Sequence, residues 1–141
     1  MIRARAGAGR NIKNVMVCKA ASFLLNLPLT LVALFLASLS LPITVTEDRR
    51  HWALVFRCRR LWWCLGYMKK SRAVTFGHVV MLGPDILQGD LEHELIHVEQ
   101  AIRYPLIFPL LYWVELARHG YRKNRFEEEA YRRAGNPYLG K

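Results

Sequence analysis

The sequence is short of acid and short of cysteine. Of 141 residues, 11 are acidic against 21 basic, a formal charge of +10. That imbalance disfavours a basic partner and suits an acidic one, either nucleic acid or anionic lipid headgroups. The three cysteines, Cys18, Cys58 and Cys64, cannot all pair, and their spacing matches no zinc ribbon. A disulfide scaffold is thereby excluded, and the cysteines read as reduced thiols in a chain exposed to the cytoplasm. Internal repeats and low-complexity tracts are also missing. What is present is apolar: 52% of the residues are hydrophobic. The length favours one compact domain with attachments.

Residues 1–19 carry Arg3, Arg5, Arg10, Lys13 and Lys19 with no acid, and read as a basic arm. Ala20 to Val45 then holds no charged residue in 26 positions. About 20 mostly apolar residues cross a bilayer, so 20–45 is expected to be a transmembrane helix. Pro28 and Pro42 lie near its ends, where free backbone groups tolerate them, and Asn26 is a further blemish. A cleaved signal peptide and a buried hairpin or membrane-surface element are the competing readings. Basic residues flank the run on both sides, with Arg49, Arg50, Arg57, Arg59, Arg60, Lys69, Lys70 and Arg72 downstream. The heavier downstream flank favours a single-pass protein with its C-terminal domain in the cytoplasm. Within 46–72, cations interleave with Trp52, Phe56, Trp62, Trp63 and Tyr67. Beside an apolar run, that mixture suits lipid headgroups better than stacked bases, although the rings could equally pack on a core.

Residues 73–141 form the remaining unit. "AVTFGHVVMLGP", Ala73 to Pro84, is rich in β-branched and aromatic residues and ends in Gly-Pro, which predicts a strand and a turn. Asp85 or Asp90 is placed to cap the helix that follows, and Pro105 ends that helix near Tyr104. Leu91, Leu95, Val98 and Ile102 give it an apolar stripe. "PLIFPLLYWVELA", Pro105 to Ala117, is too short to span a bilayer and predicts a core helix or one that dips into lipid. "NRFEEEAYRRA" predicts a last helix capped by Asn124, with acids early, bases late and Gly135-Asn136-Pro137 as its stop. The expected class is α+β.

The helix after the strand contains His93-Glu94-Leu95-Ile96-His97, the pattern H-E-x-x-H. Residues four apart on a helix share a face, so His93 and His97 can hold one Zn2+. Glu94, beside them, is placed to act as general base toward a metal-activated water. The bland alternative is a pair of surface histidines making hydrogen bonds. A catalytic zinc needs a third protein ligand. The extended motif with a third histidine fails, because Gln100 replaces its glycine and Arg103 its histidine. A downstream glutamate remains, and the candidates are Glu115, Glu127, Glu128 and Glu129.

"HELIHVEQ" followed by "FEEEAY" resembles the gluzincin branch of the zincin metallopeptidases. It is similar to integral-membrane zinc proteases of the prenyl-protease type and to small bacterial zincin domains. The resemblance covers about residues 73–135. It implies a minimal zincin-like domain of an edge strand, an active-site helix and C-terminal helices, with Glu127 as third ligand. Tyr131 stands where the family has an aspartate, and Glu129 is the nearest substitute for its support of a histidine. The family lays an extended peptide along the edge strand, here Val74–Leu82. His78 in that strand, Tyr121 and Tyr131 are candidate oxyanion donors, and for a lone strand histidine packing is the commoner role.

The sequence therefore predicts a membrane-anchored, zinc-dependent metallopeptidase acting on a peptide or protein substrate, with membrane lipids as a further partner. Its metal ligands are His93, His97 and Glu127, and its base is Glu94. A non-catalytic zincin-like scaffold at membranes and a nucleic-acid-associated zinc protease are the alternatives.

Overall fold

Proline and asparagine divide the long apolar run. The computed structural model describes residues 17–61 and 72–135. Helix α1, Val17–Leu25, and helix α2, Leu27–Leu39, meet at Asn26 with a bend of 62°. Pro28 sits in the first turn of α2 and has no N–H with which to continue α1. Asn26 is fully buried; its Nδ2 donates to the Ala101 carbonyl at 2.9 Å and its Oδ1 accepts from Leu106 N at 2.7 Å. The expected single helix over 20–45 is thus two helices and the start of a strand. Among the described residues no single helix is long and apolar enough to cross a membrane, although the bent pair meets that test jointly by length and composition.

Four strands form one mixed sheet in the order β1-β2-β4-β3. They are β1 Pro42–Asp48, β2 Ala53–Cys58, β3 Ala73–Phe76 and β4 Val79–Leu82. β1 pairs antiparallel with β2, β2 parallel with β4, and β4 antiparallel with β3. Ala73–Leu82, expected as one strand, is a tight hairpin. Gly77 turns it at φ +55°, where an added Cβ would lie 2.6 Å from Thr30 Oγ1. β1 and β2 arise from the segments assigned to the membrane helix and its flank, so residue 73 is not the start of the folded unit. The basic arm up to residue 16, together with Trp62, Trp63, Cys64, Tyr67, Lys69, Lys70, Asn136 and Pro137, lies outside the described residues.

Strand alternation sorts the core into two layers. Val74, Val79, Met81 and Cys58 meet Ala33 and Ala37 of α2 on one face. Ala53, Val55, Val80 and Leu82 meet Leu95 and Val98 of helix α3, Asp90–Arg103, on the other. β4 is buried along its whole length because both its faces are covered.

Gly89 at φ +93°, not Asp90, precedes α3. Asp90 opens the helix with a buried carboxylate that accepts from Leu87 N at 2.8 Å and from Arg72 at 2.7 and 3.0 Å. Pro105 ends α3, and helix α4 covers Phe108–His119. Of α4 only Phe108 is buried, so this helix is not the core element one reading expected. A short turn at Tyr121–Lys123 leads into helix α5, Arg125–Ala134. Asn124 caps α5 as expected, its Oδ1 accepting from Phe126 N at 3.0 Å, and Gly135 at φ +62° closes it. Ala101, Phe108 and Phe126 pack α3, α4 and α5 together.

Candidate metal centre

His93 and His97 lie one turn apart on α3, and Glu127 lies in the first turn of α5. Crossing of α3 and α5 brings the three side chains together, all buried. His93 Nε2 is 3.1 Å from His97 Nε2 and 3.2 Å from Glu127 Oε2, while His97 Nε2 is 3.4 Å from Glu127 Oε1. Corners of a tetrahedron centred about 2.0 Å from each ligand atom are about 3.3 Å apart. The histidine pair matches that edge and each histidine faces a different oxygen of Glu127, with one ligand atom per residue all within 4.8 Å of one another, so the three groups could hold one metal ion.

The hydrogen bonds support the same fit. Gln100 Nε2 donates to the Phe126 carbonyl at 3.0 Å and to Glu129 Oε2 at 3.1 Å. Its Oε1 is therefore an acceptor and must take the hydrogen of His97 Nδ1, 2.8 Å away. That fixes the His97 tautomer and turns the Nε2 lone pair toward the cluster. Tyr112 donates to Glu127 Oε1 at 2.7 Å, while the buried Glu127 Oε2 accepts no hydrogen bond. A desolvated carboxylate oxygen facing an imidazole nitrogen suits a metal ligand.

Charge is coupled within the cluster. Burial alone pulls the His97 pKa down; the Glu127 carboxylate beside it outweighs burial and lifts it to about 9. Burial pushes Glu127 up, but the two imidazoles overcome that and hold it well below the ordinary carboxylate range. Without a cation the centre is a buried ion pair, and a cation would take the place of the shared proton.

Glu94 is buried beside this group, and burial raises its pKa against the opposing pull of His97 and His93. Thr75 of the edge strand β3 holds it, with Oγ1 2.6 Å from Glu94 Oε2 and 3.1 Å from the Glu94 carbonyl.

The remaining sequence candidates separate cleanly. Glu115 faces Arg125 and His119 at 3.4 and 3.2 Å, away from the histidines. Glu128 is exposed. Glu129 pairs with Arg103 and Arg133 and reaches His97 only through Gln100. Tyr131 packs its ring on His93 with centroids 4.3 Å apart, and its hydroxyl lies 3.0 Å from that of Tyr121. His93 Nδ1 is buried without a hydrogen-bond partner, so packing orients that ring. His78 is in the hairpin turn, bonded to the Trp52 carbonyl at 2.9 Å and packed on Phe23 of α1, with no contact to the histidine cluster among the described residues. An oxyanion role for it has no geometric basis.

Sequence reasoning missed Gln100, Tyr112 and Thr75 as supports of the site. Gln100 was legible in part, because it follows His97 by three positions on one helix face. Tyr112 and Thr75 approach from other elements and leave no local signal. Comparison of the chain with protein-family models, with curated proteins and with solved structures finds no match.

Proposed function

We propose that the chain is a zinc-dependent metallopeptidase of gluzincin type held at a membrane. The observation that carries this reading is the meeting of His93, His97 and Glu127, buried and within metal-ligand reach of one another, with Glu94 alongside. Two imidazoles and one carboxylate form a donor set suited to zinc with one position open. When bound, zinc polarises a peptide carbonyl and makes water more acidic. Glu94 receives the proton of the attacking water and passes it to the departing amine, with no covalent intermediate. Its raised pKa suits both receiving and returning a proton. Thr75 is a positioning residue: its hydroxyl donates to the Glu94 carboxylate and accepts from the protonated acid.

The test is Glu94→Gln. It should retain zinc, measured by elemental analysis, and lose hydrolysis of a fluorogenic peptide library by about 10²–10⁴-fold. A variant as active as the parent would remove Glu94 from the mechanism. A second reading is a metal-bound scaffold without turnover. The burial of all three ligands favours it, since structural metal sites are closed. Zinc in the parent chain with no hydrolysis of any peptide would select that reading.

A further inference from the structure

We propose that the chain sits in a single leaflet of an anionic membrane, without crossing it, through an apolar surface assembled from the α1–α2 bend and the start of α4. This rests on the membrane part of the reading above and specifies how the contact is made. Helix α2 has no charged residue and is covered on one side only. Thr30, Ala33 and Ala37 face inward, while Leu31 and Phe35 on the other side are 56% and 63% exposed. Leu24 at the bend is 67% exposed. The start of α4 adds Leu106, Leu110 and Trp113, which are 49%, 66% and 59% exposed. Folded proteins leave such apolar area uncovered where something apolar meets it.

The two stretches are 80 residues apart in sequence but are fastened together. Asn26 accepts from Leu106 N, and Ser22 Oγ donates to the Ile102 carbonyl at 2.9 Å. Leu106 is held at φ +65°, a conformation leucine rarely adopts, with its side chain outward. The buried amide of Asn26 thus makes one surface from two.

The bent pair is long enough to span only if it straightens and leaves its packing on the sheet. α1 has 9 residues and α2 has 13, about 14 and about 20 Å, against a hydrocarbon core of about 30 Å. The 62° bend shortens their joint reach. Standing α2 upright as part of a span would take Ala33 and Ala37 off Val74, Val79 and Met81. The charges fit a helix pair lying in the interface. Lys19 Nζ donates to the main-chain carbonyl of Arg50 at 3.2 Å, which brings two basic residues together near the start of α1. Arg59 and Arg60 N–H groups bond to the Leu41 and Ser40 carbonyls at 3.1 and 3.4 Å, which places two more at the α2 end. Apolar side chains between two cationic rims match acyl chains beneath anionic headgroups.

The experiment uses the full chain with phosphatidylcholine vesicles and phosphatidylcholine–phosphatidylserine vesicles. The parent should float with the anionic vesicles. Phe35→Asp and Leu110→Asp should each weaken partitioning by roughly tenfold or more, because each removes one buried apolar side chain. Both variants should keep the parent's circular-dichroism spectrum and elution volume, which shows that they fold. Lipids brominated near the headgroup should quench a fluorescence component that Trp113→Phe abolishes. Epitope tags at the two ends of the chain, expressed in cells, should respond alike to protease in sealed membrane vesicles. Tags on opposite sides would overturn the single-leaflet arrangement and leave membrane attachment standing. An unaffected Leu110→Asp would overturn the role of α4. A parent that fails to float, or that self-associates in a way Phe35→Asp abolishes, would overturn membrane attachment itself. None of these results bears on Glu94 or on zinc.

Discussion

Replacing Gln100 with leucine removes one side chain of similar size from a fully buried position on α3. Two consequences can be separated. The His97 Nδ1–H loses its acceptor 2.8 Å away, and the link from α3 to the Phe126 carbonyl and Glu129 is cut. Glu129 keeps Arg103 and Arg133, so its loss is small. A buried N–H left unpaired costs about 1–3 kcal/mol, and it also frees the ring to present the wrong nitrogen. Loss of such a support lowers metal affinity by about 10–100-fold, equivalent to about 1.4–2.8 kcal/mol. Competitive titration of zinc against a chromophoric chelator measures this directly. Gln100→Glu is the control: it keeps an acceptor for His97 while losing the amide donor and facing Glu129. It should hold zinc about as well as the parent while denaturing more readily. If Gln100→Leu binds zinc within about twofold of the parent and only its denaturation midpoint falls, the assignment of Gln100 to the metal centre is refuted, because the loss expected from that support is at least tenfold.

Thr75→Val removes the hydrogen bond to Glu94 and should lower kcat by about 10–100-fold with KM unchanged, since a bond to a charged group is worth about 1.5–3 kcal/mol. Thr75→Ser should restore most of it, and an unchanged kcat in the valine variant would show that the helix alone positions the base. Gly77→Ala should destabilise the fold by about 2 kcal/mol, read as a lower urea midpoint, because the residue is at φ +55° with Thr30 against it. Asp90→Asn probes pH. Burial raises the Asp90 pKa, but Arg72 and the Leu87 N–H more than offset it and hold it below the ordinary value of 3.8. A lowered folded pKa contributes stability above the unfolded value and loses it as pH falls through the folded one. The parent should therefore be more stable than Asp90→Asn near neutrality, and the gap should close in acid below pH 3.8. A gap that stays constant into acid would mean that the charge of Asp90 is not what stabilises the end of α3.

The histidine pair of the candidate site, and the helix that carries Glu127, were legible because their signals are local. His93 and His97 share a face by spacing alone, and Asn124, Glu127 and Gly135 mark α5 by cap chemistry and helix polarity. The choice of Glu127 over Glu115 came from a resemblance, and the geometry agrees because α5, not α4, crosses α3 at the histidines. What was illegible depended on distant partners. Asn26 read as a flaw in an apolar run, whereas its amide is the tie to Ala101 and Leu106. Gly77 read as part of a strand, and only the approach of Thr30 reveals the hairpin. β1 was hidden because it begins inside the stretch whose composition passes for a membrane helix, and β2 because it lies in that stretch's basic flank.

Metal content per chain tests the central assignment most directly. The purified chain should carry one zinc ion, His93→Ala, His97→Ala and Glu127→Ala should each lose it, and Glu115→Ala should keep it. A parent free of metal after purification in the presence of zinc, or a Glu127→Ala variant as fully loaded as the parent, would contradict the account.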